Sequence, residues 1–297
     1  MRENWEGLES LQPTDYTSRM AEPSPQSERS SLPHAQSRAI FVGRRREMAE
    51  LTSTLEEALS GQGRLVMLVG EPGIGKTRTT QELASYAESR GAQVFWGRCY
   101  EDEGTPPYWP WVQTMRSYVQ QASREQLTAE IGSGAAAIAE IVPEILGKLP
   151  GLETPPALDP EAARFHLFDS ITTFLKNAAQ NQPLMMVLDD LHWADRSSLL
   201  LLEFLARELG EARILLVGCY RDTDLSRQHI LTETLAQLSR EPVFRRQVLR
   251  GLSQDDLGEF INLTTGVQLP QNLNDTLFAH TEGNPFFMTE IIRLLSE

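Results

Sequence analysis

The sequence predicts an α/β fold, a five-stranded parallel sheet flanked by helices and followed by a small helical domain. Three observations carry that expectation. Strand-like segments recur near 64–69, 93–97, 184–188, 213–218 and 245–249, the first of them, Arg64 to Val69, a short apolar run rich in β-branched residues. Helical patterns fall between them, near 76–90, 162–179, 197–209 and 228–239, and strands that alternate with helices imply parallel pairing. After Leu252 only helical patterns remain. The run Leu184-Met185-Met186-Val187-Leu188 is apolar throughout, as a central parallel strand covered on both faces must be.

Taken in order, residues 1–38 are dominated by Ser, Pro, Gln, Glu and Thr without periodicity. Such a segment buries too little apolar area to offset its ordering entropy, so it is expected to be a disordered tail. A main domain is expected over 39–251. Its first helix runs to about Ser60, with Met48, Leu51, Leu55 and Leu59 on one face and Gly61 as its stop. A helical insert occupies about 101–160. There Gly104 to Trp111 reads as a rigid loop entering a helix, with Pro110 suited to the first turn. Ala135 to Leu146 reads as a further helix, and Leu149 to Pro160 as a Pro-rich loop. The helical domain spans 252–297, and Ser253 with Asp256 three residues on forms a capping-box start. Its last helix, 286–295, is apolar on more than one face, which implies either covering partners or a longer chain.

The 297 residues carry a net charge of −14, with 40% hydrophobic and 23% charged residues. A real core is available, and the acidic balance disfavours nucleic acid as the main partner, because phosphate backbones need a basic footprint. The one basic cluster, Arg44-Arg45-Arg46, is short and opens a helix, where one arginine could face a nucleotide. Two cysteines, Cys99 and Cys219, each in an apolar stretch, suit reduced cytosolic thiols. There is no apolar run of 18 residues and no signal-peptide pattern, so the expectation is a soluble, cytoplasmic protein without membrane contact.

Residues Gly70-Glu71-Pro72-Gly73-Ile74-Gly75-Lys76-Thr77 form a complete G-x-x-x-x-G-K-[ST] loop between a strand pattern and a helix pattern. The glycines let successive backbone N–H groups point inward at phosphate oxygens. Lys76 reaches the β- and γ-phosphates, the Thr77 hydroxyl can ligate Mg²⁺, and the helix dipole adds to the field. The loop, with Arg78 beside it, therefore predicts binding of ATP with Mg²⁺. Such a loop needs a metal-holding carboxylate at a neighbouring strand tip, and Asp189-Asp190 follow the buried run at 184–188. Asp189 is assigned to the metal, through water, and Asp190 to the attacking water. His192 and Asp195 lack a third ligand for a metal site of their own, Trp193 packs the loop, and Asp195 or Ser197 caps the next helix. Arg221, after the fourth strand, is placed to sense the γ-phosphate. No arginine finger is assigned, with Arg98 and Arg164 as candidates.

These pieces occur in an order that resembles the STAND class of AAA-like signalling ATPases, and most closely the ATPase module of large LuxR-type transcriptional activators and related multidomain proteins. The resemblance is carried by Phe41-Val42-Gly43-Arg44 with Glu47, Gly70 to Thr77, Gly97 to Glu101, and Pro107 to Trp111. It continues with Leu188 to Asp195, Tyr220-Arg221-Asp222 and Gly283 to Phe287, and so covers about residues 40–297. It implies that Val42, Gly43 and Arg44 line the adenine and ribose, and that Pro285 of a helical lid approaches the base. Read from the residues alone, Gly283-Asn284-Pro285 is a helix stop and restart. The resemblance further implies a slowly hydrolysing switch, acting through self-association or a downstream effector. Three other readings share parts of the pattern: a small-molecule kinase, an origin-recognition-like initiator, and an interaction module that keeps nucleotide without turnover.

Overall fold

All five expected strands form in the computed structural model, which describes residues 40–296 apart from 102–103, 153–157, 226–228, 267 and 269. The tail expected to be disordered lies outside the described residues, as does part of the Pro-rich loop. The strands are β1 (Arg64–Val69), β2 (Gln93–Arg98), β3 (Leu184–Asp189), β4 (Ile214–Tyr220) and β5 (Phe244–Val248). They pair in parallel in the order β2-β3-β4-β1-β5. Composition follows position. Every residue of β3 and β4 is buried, whereas edge strand β5 exposes Arg245 and Arg246, charges that discourage pairing with another chain.

Strand alternation splits the core between the two sheet faces. Leu65, Met67 and Val69 point to one side, into a core shared with the insert; Val66 and Leu68 point to the other. That second side is covered by α1 (Arg45–Leu59) and α2 (Lys76–Ser89) through Leu51, Leu55, Leu83 and Ala87. The first side receives the insert helices α3 (Trp109–Gln121), α4 (Arg124–Ile131), α5 (Ala135–Ala139) and α6 (Glu144–Lys148). With them pack α7 (Pro160–Asn181), α8 (Arg196–Glu208) and α9 (Ile230–Leu238).

Two details differ from the sequence expectation for a physical reason. The helix anticipated over 135–146 is two short helices, because Pro143 disfavours helical backbone at Val142. Strand β4 runs two residues further than expected, since Cys219 and Tyr220 still pair with Leu68 and Val69. Helix α3 also approaches β2 very closely. A Cβ at Gly97 would lie 2.0 Å from the Pro110 carbonyl oxygen, so only glycine permits this packing. Trp111, fully buried in α3, donates from Nε1 to the Ser198 carbonyl at 3.0 Å.

The chain divides into two compact units, 44–250 and a helical one comprising 40–43 with the region from Gly251 onward. The latter contains α10 (Gln254–Thr265), α11 (Gln271–Thr281) and α12 (Pro285–Ser296). Ser253 and Asp256 make the full capping box, each side chain accepting from the other's backbone N–H. Val42 packs with Leu252, Leu257, Ile261, Leu277, Met288 and Ile292. For that reason residues 40–43, expected in the main domain, sit in the helical unit. Among the described residues no helix is long and apolar enough to cross a membrane.

Candidate nucleotide site

The loop between β1 and α2 is shaped by backbone that L side chains rarely adopt. Gly73 has φ 76° and Gly75, the residue preceding α2, has φ 99°. This turns the chain so that α2 begins at Lys76, with its unsatisfied N-terminal N–H groups at the loop. Lys76 is buried, and its Nζ donates to the carbonyls of Gly70 at 2.8 Å and Glu71 at 3.0 Å. Burial lowers its pKa from the ordinary lysine value. Arg78 pairs with Glu82 one turn on along α2, both side chains half-buried. Arg44, also buried, supports the loop from outside by donating from Nη2 to the Ile74 carbonyl at 3.0 Å, with Glu47 at 3.2 Å as its counter-ion. The arginine expected at the nucleotide thus holds the loop backbone, a role that short-range sequence patterns do not signal.

The second half of the site comes from three strand tips. The Thr77 hydroxyl donates to Asp189 Oδ2 at 3.1 Å, closing a contact across 112 residues. Asp189 is almost wholly buried, and its Oδ1 accepts the Asp190 N–H at 3.1 Å. Asp190 turns off the strand with φ 58° and ψ 41°, so its carboxylate departs from the direction of Asp189. Burial, and then the neighbouring Asp189 charge, raise the Asp190 pKa above the ordinary aspartate value. Arg98 ends β2 directly opposite Asp189 in register. Its guanidinium lies 3.1 Å from Asp189 Oδ2 and 3.5 Å from Asp190 Oδ2. A contact of Arg98 with the carboxylates was not foreseen, though an arginine one residue from the end of a strand pattern is the signal that could have found it.

Arg221 follows β4, beside the loop's first residue, because Tyr220 pairs with Val69. It stacks over the Trp193 ring at 5.2 Å and pairs with Asp224 at 3.6 Å. His192 is buried below this corner, its Nε2 3.6 Å from Asp224 Oδ2 and 4.0 Å from Asp190 Oδ1. Neither ring nitrogen has a hydrogen-bond partner among the described residues. Burial lowers its pKa to about 4. Asp195 caps α8 by accepting the Ser198 N–H at 3.0 Å. Arg164 is exposed on the first turns of α7 and takes no part in the carboxylate cluster. In the helical unit, Gly43 has φ 64° and would clash with Asp256 and Leu252 if it carried a Cβ, and Pro285 begins α12.

The donor set suits a magnesium nucleotide. A hydroxyl and a carboxylate in contact are hard oxygen ligands, and a small divalent cation keeps its remaining places for water and phosphate oxygens. Among the described residues no cluster of three or more His, Cys, Asp or Glu could hold a metal without such help.

A phosphate-cradling loop on a parallel sheet, facing a carboxylate two strands away, defines a P-loop nucleoside-triphosphatase fold. Within that class the AAA ATPase domain family matches residues 40–217, more than half of the chain, and the chain belongs to that family. An uncharacterized protein of Rhizobium meliloti (strain 1021) is 24% identical over 277 residues, spanning 86% of this chain and 25% of that protein. The fold is shared with a Signal Transduction ATPase with Numerous Domains (STAND) carrying a tetratricopeptide repeat sensor, from Pyrococcus horikoshii. That match has a TM-score of 0.51 at 14% identity, over 85% of this chain and 30% of that one. AMPPCP-bound DnaA from Aquifex aeolicus aligns with a TM-score of 0.43 at 15% identity, over 86% and 62% of the two chains. The chain therefore spans only a quarter to a third of the STAND structure and the curated relative.

Proposed function

We propose that this chain is the nucleotide-operated switch of a STAND-type signalling ATPase, which binds Mg-ATP and hydrolyses it slowly. The observation that carries the reading is the Thr77–Asp189 contact at 3.1 Å, with Asp190 turned aside next to it. That arrangement separates a metal-holding pair from a second carboxylate that can serve proton transfer. A Mg²⁺ held by Thr77 and Asp189 would neutralise charge on the β- and γ-phosphate oxygens. Lys76 leaves the Gly70 and Glu71 carbonyls to meet those oxygens. Asp190 orients a water and accepts its proton as the water oxygen bonds to the γ-phosphorus and the bond to the departing ADP breaks. A carboxylate whose pKa is raised by burial is a better base than an exposed one. Arg221 contributes charge near the γ-phosphate once released from Asp224.

The resting contacts support the reading of slow turnover. Lys76, Arg98 and Arg221 are each engaged with protein groups, so nucleotide must compete for all three. A site that rearranges in this way reports its nucleotide state to the rest of the protein. For Val42, Gly43 and Arg44 we keep the role that the resemblance implies, lining the adenine and ribose, and for Pro285 the approach to the base. The output is self-association or engagement of an effector in the cytoplasm, regulating transcription or another response.

Malachite-green turnover and thermal-shift titration with Mg-ATP test the reading: ATP should stabilise the protein strongly while phosphate release stays slow. Absence of any ATP-dependent shift would refute it. The net charge of −14 further implies no specific DNA affinity. A duplex titration near physiological salt should give nothing tighter than about 10⁻⁴–10⁻⁶ M, the non-specific range. Nanomolar, sequence-dependent binding would favour an initiator instead.

A further inference from the structure

We propose that Arg98 is a cation gate on the metal side of the site: its guanidinium supplies the missing positive charge in the resting protein and must leave Asp189 for a divalent cation to enter. The inference rests on Thr77 and Asp189 being the metal-facing pair, and adds to it a residue that sets when metal is admitted.

Two adjacent carboxylates at one strand tip, one buried and one half-buried, repel each other and lose solvation unless a cation compensates them. Lys76 is held by two loop carbonyls, and Arg221 by Asp224 and the Trp193 face. Among the described residues the guanidinium of Arg98 is the cation that pairs with both carboxylates, at 3.1 and 3.5 Å. It also reaches the oxygen that matters. Asp189 Oδ2 accepts both the Thr77 hydroxyl and Arg98 Nη2, each at 3.1 Å, while Oδ1 is taken by the Asp190 N–H. A cation between Thr77 and Oδ2 would meet the guanidinium within contact distance. Two like charges cannot both stay there without repulsion.

The geometry also permits departure. Gln113 of α3 fixes the Arg98 backbone from both sides, accepting its N–H at 3.2 Å and donating to its carbonyl at 2.9 Å. Movement is therefore confined to the side chain. That side chain is 50% exposed, so it can swing into water with little desolvation to undo, while Asp189 stays where the β2–β3 register puts it.

The full chain, its Arg98→Ala variant and its Arg98→Gln variant should be compared in two measurements. The first is the thermal midpoint without nucleotide or metal. The second is the Mg²⁺ concentration giving half of the gain in affinity for a fluorescent ATP analogue. A gate predicts opposite movements: both variants lose apo stability, and both need less Mg²⁺, by about two- to five-fold, the range of a partly exposed ion pair. Glutamine keeps a hydrogen bond to Asp189 without charge, so it serves if alanine does not fold. Lower apo stability with an unchanged or higher Mg²⁺ requirement would reduce Arg98 to a structural ion pair and overturn the gate alone. Nucleotide binding by wild type that ignores Mg²⁺ altogether would overturn the metal-facing pair, and the gate with it.

Discussion

The two halves of the site are built in opposite ways. The phosphate loop is contiguous: eight residues, Gly70 to Thr77, run from the end of β1 into the first turn of α2, shaped by left-handed glycines and completed by the helix that follows. The carboxylate corner is assembled from three strand tips, with Arg98, Asp189 and Asp190, and Arg221 brought together only by the order β2-β3-β4-β1-β5. The loop offers backbone N–H groups and one lysine, a local device that works wherever its geometry forms. The corner depends on a balance of side-chain charges in partial burial, so the protein's responsiveness should lie there, and its affinity in the loop.

The largest test of this division is Lys76→Ala. In wild type, Mg-ATP at about one hundred times its dissociation constant should stabilise folding by roughly 2.7 kcal/mol through mass action. The variant should fold and lose that shift in a thermal titration. A retained shift would mean that affinity does not reside in the loop.

Asp190→Ala should act on the other half, leaving ATP binding in place while turnover falls by about 10²–10⁴-fold, the contribution of a positioned base. Because one of two like charges at the β3 tip is gone, the nucleotide-free variant should also melt higher than wild type. Equal turnover would remove Asp190 from the chemistry and leave a binding switch without an assigned base. Asp189→Ala, by contrast, should weaken Mg²⁺-dependent binding and hydrolysis together.

Arg44→Ala asks whether the loop is self-sufficient. It removes a buried, charged donor from the Ile74 carbonyl, and hydrogen bonds to charged groups contribute about 1.5–3 kcal/mol. Denaturant unfolding should show a loss of that order, and ATP affinity should fall several-fold. Unchanged ATP affinity would show that the loop keeps its form without this anchor from 30 residues earlier.

The smallest effect concerns pH and should belong to the corner alone. His192 is buried and neutral, with its folded pKa lowered to about 4 from 6.5. The unfolded chain therefore takes up the proton first, and stability present above about pH 6.5 is lost as pH falls towards 4. Between pH 7.5 and 6 the loss should be about 1 kcal/mol from this group. His192→Gln should flatten that part of the profile in thermal melts, and an unaltered slope would assign the sensitivity elsewhere.

Periodicity and local signals made the sheet, the loop and most helix starts legible. The buried runs at β3 and β4, the glycine pattern of Gly70 to Gly75, and the Ser253–Asp256 box are each written in a few adjacent residues, because strand alternation, backbone freedom and capping are short-range properties. The break at Pro143 was equally local, but the helical pattern on both sides of it hid the restriction on Val142.

What only the tertiary structure decided is where the charges go. Nothing near Arg98 in the chain indicates that it faces Asp189, since that pairing exists through a parallel register between strands 91 residues apart. Nor could the sequence show that Arg44 spends its guanidinium on the Ile74 carbonyl, or that Val42 packs in the core of the helical unit rather than with the sheet. The residue types that bind phosphate are set by local chemistry and can be read from one segment. The state in which they wait, with Lys76, Arg98 and Arg221 each paired inside the protein, depends on distances across the fold that one-dimensional spacing does not contain.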